Sequence, residues 1–238
     1  MNYPPPTSPA PAAVRNRRSG RPPAKRKKRK SGAGLALWQW IVLAMLLIGL
    51  IYAIMQLGQA NASLSRLQKE RQEAREKYEQ TVRNHQVKYR DLIEQYSAEY
   101  NLNPAFVSAI IMQESGYDPR AVSSKGAMGL MQFMPNTFDW VKKNCGYRNA
   151  DVDVLYQPEA AIKMGCYLLN YITKQLSSDD PVLVACAYHA GWGNVPTWIE
   201  NYSTDGKTLA VSQIPKSDTR TYAGRVLNSY AIYLQHYY

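Results

Sequence analysis

Apolar and polar positions divide the chain into four regimes. Residues 35–57 (LALWQWIVLAMLLIGLIYAIMQL) carry no charge, and their strongly polar side chains, Gln39 and Gln56, sit near the ends. At about 1.5 Å of rise per residue, such a helix crosses a hydrocarbon core of about 30 Å. Residues 58–90 are polar and charged, and no Gly or Pro falls between Gln59 and Asn103. Glu70, Arg71, Glu73, Arg75, Glu76 and Lys77 favour helix. Leu64, Leu67, Ala74, Tyr78 and Val82 recur at three- and four-residue steps, an imperfect seam that Arg71 interrupts. This favours a solvated helical stalk over the alternative, a stalk-mediated coiled-coil dimer. A straight helix over 59–92 would reach roughly 50 Å.

From 91 to 238 the pattern is that of a compact helical domain. Asn103-Pro104 opens a helix with Pro at its first position, whose apolar face (Phe106, Val107, Ile110, Ile111) ends at Glu114. Gly126, Gly129 and Pro135 separate short helices. An amphipathic helix is predicted over 157–176. Another runs from the cap Asp180-Pro181 to Gly191-Trp192-Gly193, and a last one covers 218–237. No segment alternates as a strand does, so the fold class is all-α. Residues 1–34 are Pro-, Ala- and Lys/Arg-rich without apolar period and read as disordered.

Charge sharpens the picture of the first two segments. The formal net charge is +11, yet ten Lys and Arg between Arg15 and Lys30, with no Asp or Glu in residues 1–57, account for nearly all of it. A nucleic-acid-binding face should lie on the folded domain among aromatic residues; here the basic run lies on a Pro-rich tail, so no nucleic acid is expected. The run Lys25 to Lys30 also resembles a nuclear localisation signal, but an apolar span follows it. A basic cluster before that span, with Trp38 and Trp40 at the entry, predicts a cytoplasmic N-terminus, a single pass and an extracytoplasmic 58–238. Basic, apolar and small residues in that order, ending at Ala60-Asn61-Ala62, also fit a signal peptide cleaved after Ala62. Its apolar region is longer than the usual roughly 7–15 residues, which favours a retained anchor in membrane lipid.

Candidate chemistry narrows quickly. Cys145, Cys166 and Cys186 form no CxxC pair and read as small buried thiols, with at most one internal bridge. His85, His189 and His236 lack ligand spacing, so no metal is expected, and no cofactor fingerprint is present. GxSxG, HExxH and P-loop motifs are also missing.

What the chain does contain is Glu114-Ser115-Gly116-Tyr117-Asp118-Pro119, then Ser123-Ser124-Lys125-Gly126-Ala127-Met128-Gly129-Leu130-Met131-Gln132-Phe133-Met134-Pro135 with Thr137. Ala187-Tyr188-His189-Ala190-Gly191 and Ile214-Pro215-Lys216-Ser217-Asp218-Thr219 with Tyr222 follow. In this order, over roughly 100–230, the blocks resemble the soluble lytic transglycosylase family of the lysozyme superfamily. The resemblance implies a lysozyme-like helical catalytic domain over 91–238, acting on bacterial peptidoglycan glycan strands; the span at 35–57 would hold it at the cell membrane. It implies Glu114 as the single acid and base, cleaving the MurNAc–GlcNAc bond without water to leave 1,6-anhydro ends. Ser123, Gln132, Met134 and Tyr188 would face substrate, with Tyr188 across the cleft from the acid. Two positions depart from the family pattern: His189 stands where the family has Asn, and Asp218 where it has Glu. Both are expected to contact substrate. A lysozyme-type hydrolase and a tethered wall-binding protein are the rival readings, and a role beside secretion or conjugation machinery would change context rather than chemistry.

The physics of Glu114 supports its assignment independently. A carboxyl at the end of an apolar helix, ahead of a Gly-rich turn, tends to lose solvent, which keeps it protonated near neutrality. Asp118, four residues on, is better explained by the turn before Pro119.

Overall fold

The computed structural model describes residues 33–238, with side chains from Leu37; most of the expected basic tail therefore lies outside the described residues. The described chain is all-α, with eight α-helices: α1 Ala33–Asn84, α2 Arg90–Glu99, α3 Pro104–Ser115, α4 Pro135–Val141, α5 Pro158–Leu176, α6 Pro181–Ala190, α7 Asn194–Tyr202 and α8 Ser217–His236. Strand-like pairing among the described residues is limited to two isolated bridges, Val122 to Met128 and Met128 to Phe133. The chain divides into two compact units, one ending at Gln68 and one from Lys69 to Tyr238.

In the first unit, α1 is apolar on every side from Leu37 to Leu57 and polar beyond it. Trp38, Trp40, Leu46, Ile51 and Leu57 are all exposed, and an 18-residue window reaches a mean hydropathy of 2.4. A helix of this length and composition can cross a membrane.

In the second unit, Pro occupies the first turn of α3, α4, α5 and α6. At that position its missing N–H costs nothing and its fixed φ favours helix. Asn103 caps α3 by accepting from the Ala105 N–H, and Asp180 caps α6 by accepting from Val182 and Leu183. The helices read from sequence at 157–176 and 218–237 are therefore present almost residue for residue, and the one capped at Asp180-Pro181 ends at Ala190, just before Gly191-Trp192-Gly193.

The helix expected over 59–92 is not continuous. It stops at Asn84 and restarts at Arg90. Between them His85 is buried, its Nδ1 2.7 Å from the Thr81 carbonyl and its Nε2 3.0 Å from Ser229 Oγ. Tyr89 then takes a left-handed conformation. The end of α1 is thus fastened to α8, also through Tyr78 to Gln235 and Tyr237 to the Val82 carbonyl.

The core is built around two short helices with almost no polar side. From Ala105 to Ile111, α3 is buried without interruption, as is α6 from Leu183 to Ala187. A helix apolar all round must be surrounded, and α3 is covered chiefly by α8 and α2, α6 by α8 and α5. Burying side chains such as Ile110, Ile111, Leu169 and Leu183 is worth about 1.5–3 kcal/mol each. This central position brings the end of α3, with Glu114, against α8.

Candidate active site

Glu114 lies in the last turn of α3 and is half-buried. Its Oε1 accepts a 2.6 Å hydrogen bond from the Tyr222 hydroxyl on α8. Its Oε2 has no partner among the described residues and is reached by solvent. Burial pushes the carboxyl up to about 7, against the opposing pull of the Tyr222 hydroxyl, and no charged neighbour among the described residues contributes. The Glu114 charge in turn adds to the burial that raises both the Tyr222 and Tyr188 phenols, so both rings stand within its field.

One wall of the site is the loop between α3 and α4. Ser115 Oγ donates to the Leu130 carbonyl at 2.9 Å, fixing the loop to the end of α3. Leu130, Met131 and Phe133 are buried beneath it. Gly129 adopts φ +74°, and a Cβ there would collide with the Leu155 carbonyl, so this close approach requires glycine.

Ser123 and Gln132 belong to this wall, but their side chains are used within it. Ser123 Oγ accepts from the Ala127 N–H at 2.9 Å. Gln132 Nε2 donates to the Ala121 and Gly129 carbonyls, both at 3.1 Å, while its backbone is left-handed. Met134 precedes α4 and is 43% exposed, whereas Met131 is core. Nothing joins Ser123, Gln132 or Met134 directly to Glu114.

The opposite wall is the end of α6 and the start of α8. Tyr188 spans the two walls, donating to the Met131 carbonyl at 2.6 Å. The hydroxyl that reaches Glu114 is that of Tyr222, not that of Tyr188. His189 stacks on the Tyr222 ring, centroids 4.6 Å apart and 27° between planes. Its Nδ1 lies 3.0 Å from Thr219 Oγ1. Thr219 Oγ1 donates to Asp218 Oδ1 at 3.3 Å, which leaves its lone pair to accept from a protonated Nδ1. Asp218 is exposed and pairs with Lys216 at 3.5 Å. Burial holds His189 below its ordinary value; Lys216 and Lys125 push the same way and Asp218 opposes them.

Residues 91–211 match the transglycosylase SLT domain family. The chain belongs to this family. The SLT domain chain is 35% identical over 153 residues to the soluble lytic murein transglycosylase of Salmonella typhimurium, covering 63% of this chain and 23% of that one. It is 28% identical over 145 residues to the membrane-bound lytic murein transglycosylase E of Buchnera aphidicola, covering 59% and 68%. The crystal structure of the 70 kDa soluble lytic transglycosylase of Escherichia coli superposes with a TM-score of 0.57 at 32% identity, over 63% of this chain and 24% of that one. The structure of a 70-kDa soluble lytic transglycosylase in complex with bulgecin A gives 0.58. The SLT domain chain thus spans about a quarter of the length of these soluble relatives.

No group of three or more His, Cys, Asp or Glu able to hold a metal occurs among the described residues. Cys145, Cys166 and Cys186 are free and buried, and burial pushes each thiol up. A cavity of about 520 Å³ bordered by Asn101, Lys174, Asp179 and Tyr230 does not include Glu114. Tyr222 is the site residue that sequence reasoning did not single out, although it closes the last motif block.

Proposed function

We propose that this protein cleaves the β-1,4 bond between N-acetylmuramic acid and N-acetylglucosamine in peptidoglycan without water, leaving 1,6-anhydromuramic ends. The observation that carries the reading is Glu114 itself: one carboxyl, brought to about 7 by burial and held by a single phenol. A group poised there can give a proton and take one back near neutral pH. Protonated Glu114 donates to the glycosidic oxygen as its bond to C1 breaks, and the N-acetyl carbonyl oxygen closes onto C1. The Glu114 carboxylate then accepts the proton of the C6 hydroxyl, whose oxygen displaces the N-acetyl oxygen from C1. The anhydro ring closes, Glu114 is protonated again, and no water is consumed. Tyr222 orients the carboxyl. Met134, Tyr188, His189 and Asp218 line the path of the sugar, Ser123 and Gln132 shape the wall beside it, and 91–238 is the catalytic unit.

Water-dependent hydrolysis normally uses two carboxylates. Asp118 is exposed and accepts from the Arg120 N–H at 2.9 Å in its own turn. Digestion of purified peptidoglycan by the full chain and by Glu114→Gln, read by mass spectrometry, tests the proposal. Anhydro ends from the unaltered protein alone support it. Reducing ends would make the protein a hydrolase, and sedimentation with the wall without products would make it a tethered binder.

The apolar part of α1 is proposed as a single-pass anchor, with the basic tail cytoplasmic and the SLT domain outside. Protease treatment of intact spheroplasts should then remove the catalytic unit; a fully protected domain would reverse the orientation.

A further inference from the structure

Beyond the groove at Glu114, a connected set of aromatic rings runs from the surface inward. Trp192 lies in the turn after α6, between Gly191 and Gly193, and is 37% exposed. Its ring meets Tyr171 of α5 at 5.4 Å and 75°, and Trp140 of α4 at 6.1 Å and 38°. Trp140 contacts Tyr171 at 4.7 Å and Tyr167 at 6.0 Å. Trp140 and Tyr171 already join α4 to α5, so Trp192 is not needed for that packing.

The polar edges of these rings are unused. Among the described residues, neither the Trp140 and Trp192 indole N–H groups nor the Tyr167 and Tyr171 hydroxyls have a hydrogen-bond partner; those of Trp140, Tyr167 and Tyr171 are not shut off from solvent, and Trp192 is itself an exposed residue. Indoles and phenols sealed in a core normally find a partner; those with an apolar face and a free polar edge suit a wet, amphipathic ligand. A pyranose is such a ligand, with C–H groups on its faces and hydroxyls at its rim.

The rings also lie on chain segments that follow directly from both walls of the site. Trp192 follows Tyr188 and His189 by a few residues, and Trp140 rides on α4, which begins directly after Met134. We infer that Trp192, with Trp140 and Tyr171, is a stacking platform for an N-acetylhexosamine unit of the glycan strand, outside the two units flanking the cleaved bond. The inference rests on the glycan-cleaving reading of Glu114 and adds a length-sensing subsite to it.

The test uses the full chain in detergent micelles carrying Glu114→Gln, so that binding is measured without turnover. The probes are the dimer and hexamer of β-1,4-linked N-acetylglucosamine, titrated by calorimetry. Trp192→Ala should weaken the hexamer about tenfold, the scale of one lost aromatic contact, and leave the dimer nearly unchanged. Trp192→Phe should restore most of the hexamer affinity. Unchanged hexamer affinity in Trp192→Ala, or equal weakening by Phe and Ala together with a lowered melting temperature, overturns the platform and leaves the function of Glu114 standing. If the Glu114→Gln parent binds neither probe, the platform also falls. Anhydro ends released by the unaltered protein from peptidoglycan then decide separately whether the cleavage reading survives.

Discussion

Tyr222 donates its phenolic proton to Glu114 Oε1 at 2.6 Å, across 108 residues of chain. That bond opposes the burial that lifts the carboxyl to about 7. It favours the charged form, so its loss must raise the carboxyl further. Tyr222→Phe should therefore move the high-pH limb of kcat to higher pH. It should also lower kcat at pH 6 by about tenfold or more, because the acid loses its orientation. A pH series of kcat for the two proteins checks this. A uniform loss of rate with an unmoved limb would assign Tyr222 to packing alone.

The same burial has a cost in stability. The unfolded Glu114 loses its proton near 4.5, the folded one near 7. Between these values the native state binds more protons than the unfolded state, so stability falls as pH rises through the window. Glu114→Gln removes that loss. It should be as stable as the unaltered protein near pH 4.5 and more stable at pH 8, by about 3 kcal/mol at most. Thermal melts at both values decide it; equal melting temperatures at pH 8 would mean the carboxyl is not held out of water.

The helices were legible because their starts are chemical. Asn103-Pro104 and Asp180-Pro181 put a cap and a first-turn Pro side by side, and the structure starts α3 and α6 there. The break after Asn84 was not legible, since no Gly or Pro marks it; it is set by His85 reaching Ser229, 144 residues away. Tyr222 is visible as the end of the last motif block, but its bond to Glu114 is not, for the same reason. It is one of eighteen tyrosines, and its role comes from α8 lying against α3. Ser123 and Gln132 read as substrate-facing, but local sequence cannot reveal that their loop already engages the Ser123 oxygen and the Gln132 amide nitrogen.

His189 replaces the Asn of the family pattern and stacks on the ring that holds the acid. Its folded value lies below the ordinary one, with burial as the main cause. As pH falls, the unfolded chain takes up that proton first, so this group contributes stability above about 6.5 that is lost on acidification. His189→Asn should therefore lose less melting temperature between pH 7 and pH 5 than the unaltered protein, by a small margin because the ring is partly screened by solvent. It should keep most activity at pH 7.5, where His189 is already neutral. A large loss of kcat at pH 7.5 would show that the imidazole itself takes part.

Gly126 and Gly129 sit three residues apart with φ of +82° and +74°, yet they should respond differently to alanine. Both substitutions force a side chain into a left-handed backbone, at about 1–2 kcal/mol. A Cβ on Gly126 meets nothing within 4 Å, so that cost is the whole effect. On Gly129 the same atom collides with the Leu155 carbonyl, backbone that cannot swing aside as a side chain can. The loop must shift, and overpacking of this kind adds about 1–3 kcal/mol. Because Ser115 and Tyr188 both bond the adjacent backbone, at Leu130 and Met131, the shift should also carry through to the groove. Gly129→Ala is expected to melt well below Gly126→Ala and to lose activity out of proportion to its remaining folded fraction. Melting curves and kcat/KM on peptidoglycan fragments for the pair check both parts. Equal losses would mean that the loop and Leu155 are not locked together as the structure has them.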